Sequence, residues 1–287
     1  MPKLHVYGDS YVEAPHQDYL ELVKKGEAHA PWYAQVATAL DVDEMHMHGK
    51  AGTSNEFIYD RWKQRLDEVK EGDYVIVVTT SPYRKWFFEH LPEFANLGMR
   101  GLHTVLEQEE VDAIAGYVKY LENPVTSLIS LDTISQTIAF NCMQKNVAKA
   151  FIIPGFEDSE SYTYSPYVKN KGNLGIPCYN EFSSQKIYNK CMGSNDQIDP
   201  RLNHLSFENH DIMARKIMAS IQLDKDLDLT SGFSKNIYQT AREATNINTK
   251  HKKYWDVQYN TETGQRIDVK KEVQIRKNGV QPADIVI

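Results

Sequence analysis

A serine on a sharp turn and a histidine able to take its proton are the first ingredients of acyl transfer, because a free hydroxyl is a weak nucleophile at neutral pH. The chain offers such a pair. Ser10 closes Gly8-Asp9-Ser10 directly after the short strand candidate Lys3 to Tyr7, and His204 stands in Asn203-His204-Leu205-Ser206 just before an amphipathic stretch. Glycine permits the turn out of a strand, so Ser10 is expected at the carboxyl edge of a sheet, where reacting groups gather in α/β proteins. His204 is the expected base. His210, inside the stretch that follows, reads as a surface or packing residue.

The elements that must position this pair follow from periodicity. Residues 31–40 read as a helix, and Asp43 to His48 as a second strand leading into Gly49-Lys50-Ala51-Gly52. Thr53-Ser54-Asn55-Glu56 has the spacing of a capping box. The helix it opens repeats Ile58, Trp62, Leu66 and Val69 on one face, which suits packing on a sheet. Tyr74 to Thr79 is a run of β-branched and aromatic residues, the composition of a strand covered on both faces. Helical patterns then cover Val111 to Leu121 and Thr133 to Lys149, and a buried strand, Ala150 to Ile153, is closed by Pro154-Gly155. Glu157 to Ser194 reads as an extended loop region, with a last helix starting near Ser206. This alternation predicts an α/β fold, a three-layer α/β/α arrangement around a mostly parallel, flavodoxin-like sheet.

Beyond Leu223 the pattern changes. Trp255, Val257 and Tyr259 alternate on one side of Thr261-Glu262-Thr263-Gly264, and Ile267 and Val269 on the other, which is a hairpin signal. Residues 1–223 are therefore expected to form the main domain and 224–287 a small appendage for docking or oligomerisation.

The order of Gly8-Asp9-Ser10, a glycine turn after the second strand and a histidine before the last core helix resembles the SGNH/GDSL hydrolase superfamily, over roughly residues 3–222. The resemblance implies acyl transfer by Ser10 and His204, with an oxyanion hole at the N–H groups of Ser10 and Gly52. Such donors act where charge appears in the tetrahedral intermediate, and each is worth about 3 kcal/mol. The family's G-x-N-D after the third strand is replaced here by Thr79-Thr80-Ser81-Pro82-Tyr83-Arg84. Asn55 is an alternative amide donor. Asp9, Thr80, Ser81 and Arg84 are the residues expected to meet the substrate, the arginine suiting an anionic group. The position three before the histidine, where the family carries its acid, holds Arg201, so Asp199 is the expected orienting acid, with Asp196 or a backbone carbonyl as alternatives.

Bulk properties narrow the class. The 287 residues carry a net charge of −7, which disfavours nucleic acid and anionic membranes, since both call for a positive field. The charge is uneven: residues 230–287 hold ten Lys/Arg against six Asp/Glu, a net +4, leaving −11 on the first 229. That contrast suits docking of the tail on the body or on a partner. Cys142, Cys178 and Cys191 have no C-x-x-C spacing and read as reduced thiols. No stretch is apolar enough to span a bilayer, and the N-terminus lacks the basic and apolar regions of a signal peptide, so a cytoplasmic protein is expected. His46 and His48 alternate on one strand but lack a third ligand at fixed spacing, and Gly49-Lys50-Ala51-Gly52 lacks the order of a phosphate loop. No metal and no cofactor is expected. The sequence thus predicts a serine-dependent esterase for a small-molecule or carbohydrate ester, such as an O-acetyl group. The alternative is a binding or assembly protein on the same fold that has lost turnover.

Overall fold

The computed structural model describes residues 2–13, 25, 26, 30–42, 44–87, 106–156, 170, 171, 174, 205, 207–233, 257–259 and 266–268. Four strands, β1 (Lys3–Gly8), β2 (Glu44–Gly49), β3 (Tyr74–Thr79) and β4 (Lys149–Pro154), form an all-parallel sheet in the order β2-β1-β3-β4. Their carboxyl ends are level: Gly8 lies opposite Gly49, and Thr79 opposite Pro154. The register therefore brings the loops after all four strands to one edge.

Five α-helices accompany the sheet among the described residues: α1 (Trp32–Ala39), α2 (Asn55–Arg65), α3 (Gln108–Tyr120), α4 (Pro124–Gln144) and α5 (Phe207–Leu223). Alternate strand residues feed two separate cores. Leu4, Val6, Ile76 and Val78 pack with Trp32 of α1 and Met213 of α5 on one face. Tyr7, Val75 and Val77 pack with Trp62 of α2 and Ile138 of α4 on the other. Each fully buried aliphatic or aromatic side chain contributes about 2 kcal/mol, so both faces of the sheet must be covered. This is the expected α/β architecture with a parallel sheet between helices, and it explains why Tyr74 to Thr79 carries no polar alternation.

Helix α1 is tied to α5 through polar groups as well. The backbone N–H of Trp32 donates to Nδ1 of buried His210 at 3.1 Å, and Gln35 Nε2 donates to Asp211 at 2.6 Å. His210 is thus a packing residue that satisfies one of the open N–H groups at a helix start.

Element ends differ from the sequence expectation where a cap decides them. Ser54, and not Thr53, is the N-cap of α2: its Oγ accepts from Phe57 N, whereas Thr53 Oγ1 donates to the Lys50 carbonyl. The helix stops at Arg65, a single 3₁₀ turn follows over Leu66–Glu68, and Val69 is buried beyond it. Helix α4 starts at Pro124, nine residues before the predicted Thr133, with Asn123 Oδ1 accepting from Val125 N. It ends at Gln144 because Asn146 turns left-handed at φ 52°, a conformation asparagine tolerates.

Two short pairings lie outside the main sheet. β5 (Asn170–Lys171) runs parallel to β6 (Leu227–Asp228), and β7 (Val257–Tyr259) pairs antiparallel with β8 (Arg266–Asp268), the expected hairpin. Leu227 and Leu229, beyond the expected boundary at 223, are buried in the core of α1 and α5. The rest of the 157–194 region, together with Cys178, Cys191, Lys250, Lys252, Lys253, Trp255 and Val269, lies outside the described residues.

Candidate active site

The order β2-β1-β3-β4 fixes where a ligand would enter. The chain leaves β1 toward β2 on one side and returns from β2 to β3 on the other, so the crevice between β1 and β3 is the topological switch point. Open α/β sheets bind ligands outside the carboxyl ends of strands at such a point. Gly8-Asp9-Ser10 leaves β1 there, and Thr80 to Arg84 leaves β3 beside it.

The turn after β1 is held tightly. The Asp9 carbonyl accepts from both Val12 N and Glu13 N at 3.1 Å, and Asp9 Oδ1 accepts from Tyr11 N at 3.1 Å. A β-carbon on Gly8 would lie 2.7 Å from Val12 Cγ2, and one on Gly49 2.8 Å from Glu13 N. Glycine at both strand ends lets this turn fold back onto the sheet edge. Ser10 is half-buried within it.

Asp9 Oδ2, wholly buried, accepts from Arg84 Nη1 at 2.9 Å. The arginine is itself only 13% exposed, donates to the Thr53 carbonyl at 3.4 Å and stacks its guanidinium 4.9 Å from the centre of the Phe156 ring. One side chain thereby ties the loops after β1, β2, β3 and β4 together. Asp9 and Arg84, two of the residues expected to meet substrate, pair with each other across the switch-point crevice.

The remaining expected residues fall on the same edge. Gly52 turns at φ 73° in the loop after β2, while Lys50 N donates to the Gly8 carbonyl at 3.2 Å and keeps that loop beside β1. Asn55 commits its amide to the backbone after β3: Oδ1 accepts from Thr80 N at 2.9 Å, and Nδ2 donates to the Thr80 carbonyl at 2.8 Å. The Thr80 hydroxyl is buried without a hydrogen-bond partner among the described residues. Ser81 starts a turn in which its carbonyl accepts from Arg84 N at 3.2 Å. Gly155 N donates to the Thr79 carbonyl at 2.8 Å, and a β-carbon there would lie 2.6 Å from that oxygen.

His204, Asp199, Asp196 and Arg201 lie outside the described residues. Leu205, the residue after His204, is buried in the same cluster as Tyr11 and Val12, which follow Ser10. Late in the sequence the chain thus returns to the core on the α1 and α5 face of the sheet.

No family model matches the chain, and no curated protein or solved structure does either. Fold geometry and side-chain chemistry therefore carry the functional reading.

A second polar cluster occupies the outer edge of the sheet, on the face covered by α2 and α4. His5 and His46 pair across β1 and β2 with ring centres 4.9 Å apart, and His48 stacks on Tyr7 at 4.7 Å. His5 Nε2 is 3.1 Å from Asp73, and His46 is bonded to Glu44 at 2.9 Å. Burial, helped by the Arg65 guanidinium and the other two imidazoles, lowers His48 to about 4. Burial also lowers His5, against the opposing pull of Asp73. Among the described residues no group of three or more His, Cys, Asp or Glu could hold a metal ion, and no helix is long and apolar enough to cross a membrane.

Sequence reasoning missed Phe156 and the Thr53 carbonyl as partners of Arg84. The Pro154-Gly155 stop after β4 was the available signal, since it puts the next residue at the sheet's carboxyl edge.

Proposed function

We propose that the chain is a serine hydrolase of SGNH/GDSL type that cleaves an ester, such as an O-acetyl group on a carbohydrate or small metabolite. The observation that supports this most is the position of Ser10: half-buried on a pinned turn, at the carboxyl end of β1, beside the switch-point crevice. In the reaction Ser10 Oγ bonds to the acyl carbon while its proton passes to His204. His204 returns the proton to the leaving alkoxide as the ester C–O bond breaks, and water then releases the acyl group from Ser10 by the same route in reverse. Backbone N–H groups of Ser10 and Gly52 would receive the oxyanion. Asp199 would orient the imidazole.

The second reading, a binding or assembly protein on this fold, is favoured by one specific observation. Asn55, the alternative amide donor, already bonds the Thr80 backbone at both ends, and Arg84 is paired with Asp9. An enzyme would then work with backbone donors alone, and a non-enzyme would keep the same contacts for structure.

Hydrolysis of p-nitrophenyl acetate by the purified chain and by Ser10→Ala and His204→Ala separates the two. The hydrolase reading expects turnover that both substitutions abolish while the far-UV circular dichroism is unchanged. Equal rates in wild type and Ser10→Ala, or no turnover on any short acyl ester, would sink it.

A further inference from the structure

Helix α4 has two apolar faces. One, with Leu131, Ile134, Ile138 and Cys142, is buried on the sheet. The other is uncovered: Val125, Ile129, Phe140 and Met143, joined just before the helix by Tyr120 and Leu121, are between 43% and 72% exposed. Val125 and Met143 are eighteen residues apart, about five turns at ~3.6 residues per turn, so both ends of the stripe face the same way. The four side chains on α4 present on the order of 400 Å², the size at which an apolar patch on a monomer is often functional.

The stripe also has nearly the same order read from either end. An apolar pair stands four residues apart at the start (Val125, Ile129), another three apart at the end (Phe140, Met143), and exposed Gln136 bonds Asp132 at 2.9 Å between them. A surface that contacts its own copy across a two-fold axis must be self-complementary in this sense. In an antiparallel crossing centred on the Asp132–Gln136 turn, Val125 meets Met143 of the second copy, Ile129 meets Phe140, and Asp132 meets Gln136. Carboxylate then faces amide instead of carboxylate, and the two helix dipoles oppose. An unrelated partner would not require this order.

We propose that the chain forms a symmetric dimer through antiparallel contact of the outer face of α4. This stands independently of the hydrolase reading. The proposed interface lies in 124–144, a different segment from the appendage from 224 onward that the sequence suggested for docking.

Sedimentation equilibrium at micromolar concentration tests it. The wild-type chain should weigh twice its formula mass. Ile129→Lys and Phe140→Glu should each weaken association at least about 30-fold, as loss of a central anchor does, with the far-UV circular dichroism unchanged because both sites are surface-exposed. An equimolar mixture of the two variants should recover the dimer, since the introduced ammonium of one copy would then face the introduced carboxylate of the other. A monomeric wild type, single variants that remain dimeric, or a mixture that remains monomeric would each overturn the proposal.

Discussion

Replacing Arg84 by methionine removes the cation from a carboxylate that has no exposure of its own. Among the described residues, Asp9 then keeps only the Tyr11 N–H, at 3.1 Å, as a donor to its side chain. Breaking a buried pair by removing one partner costs about 3–5 kcal/mol, because an uncompensated charge is left behind. Arg84 is 13% exposed, so some water reaches the pair, and about 3 kcal/mol is the expected loss. Asp9→Asn is milder, about 1–2 kcal/mol. The amide oxygen still accepts from Tyr11 N, and the guanidinium keeps the Thr53 carbonyl and the Phe156 ring. The double variant removes both charges together, so its loss should fall short of the sum of the singles by about 2 kcal/mol, the signature of coupled groups. Urea unfolding followed by tryptophan fluorescence reads this directly, since Trp32 and Trp62 are both fully buried. The midpoint should shift with the slope unchanged. Additive losses, or an Arg84→Met cost below about 0.5 kcal/mol, would refute the claim that this pair ties the sheet edge together.

Other outcomes follow from the same geometry. Stability should fall as pH drops from about 6.5 toward about 4, because the unfolded chain takes up the His48 proton over that window and the folded chain, with His48 at about 4, does not. The full shift corresponds to about 3 kcal/mol, reduced to about 1–2 for the part of the ring that water screens, and His48→Phe should flatten that part of the profile. Gly155→Ala should cost about 2 kcal/mol or more in urea unfolding, since the new β-carbon would sit 2.6 Å from the Thr79 carbonyl oxygen. Ser54→Ala should cost about 1 kcal/mol by the same measurement, through loss of the α2 cap, and Thr53→Ala should leave that cap intact.

What could be read from the residues depended on whether the cause was local. The strand Tyr74–Thr79 announced itself because burial on both faces leaves no room for polar alternation, and the β7–β8 hairpin because its turn residues are adjacent in the chain. The α2 cap was misassigned by one residue, since Thr53 and Ser54 have the same chemistry and only backbone geometry separates them. Helix α4 was expected to begin at Thr133 because its first turns carry their apolar residues, Val125 and Ile129, on the outer face, which hides the core-facing period. The Asp9–Arg84 pair spans 75 positions, and each residue alone suggested a ligand contact. Asn55 suggested an oxyanion donor for the same reason, and its bond to the Thr80 backbone depends on the β2-to-β3 crossover. Ser10 was legible because its turn, its strand and its place on the sheet edge all lie within ten residues.

In the proposed reaction Ser10 Oγ is the nucleophile. Peptide mapping by mass spectrometry after reaction with a fluorophosphonate tests it most directly, because the Leu4–Lys24 tryptic peptide contains Ser10 as its one serine. A single adduct is expected on that peptide, abolished in Ser10→Ala and strongly reduced in His204→Ala. An unmodified Leu4–Lys24 peptide, or an adduct on Ser81 or another hydroxyl instead, would contradict it.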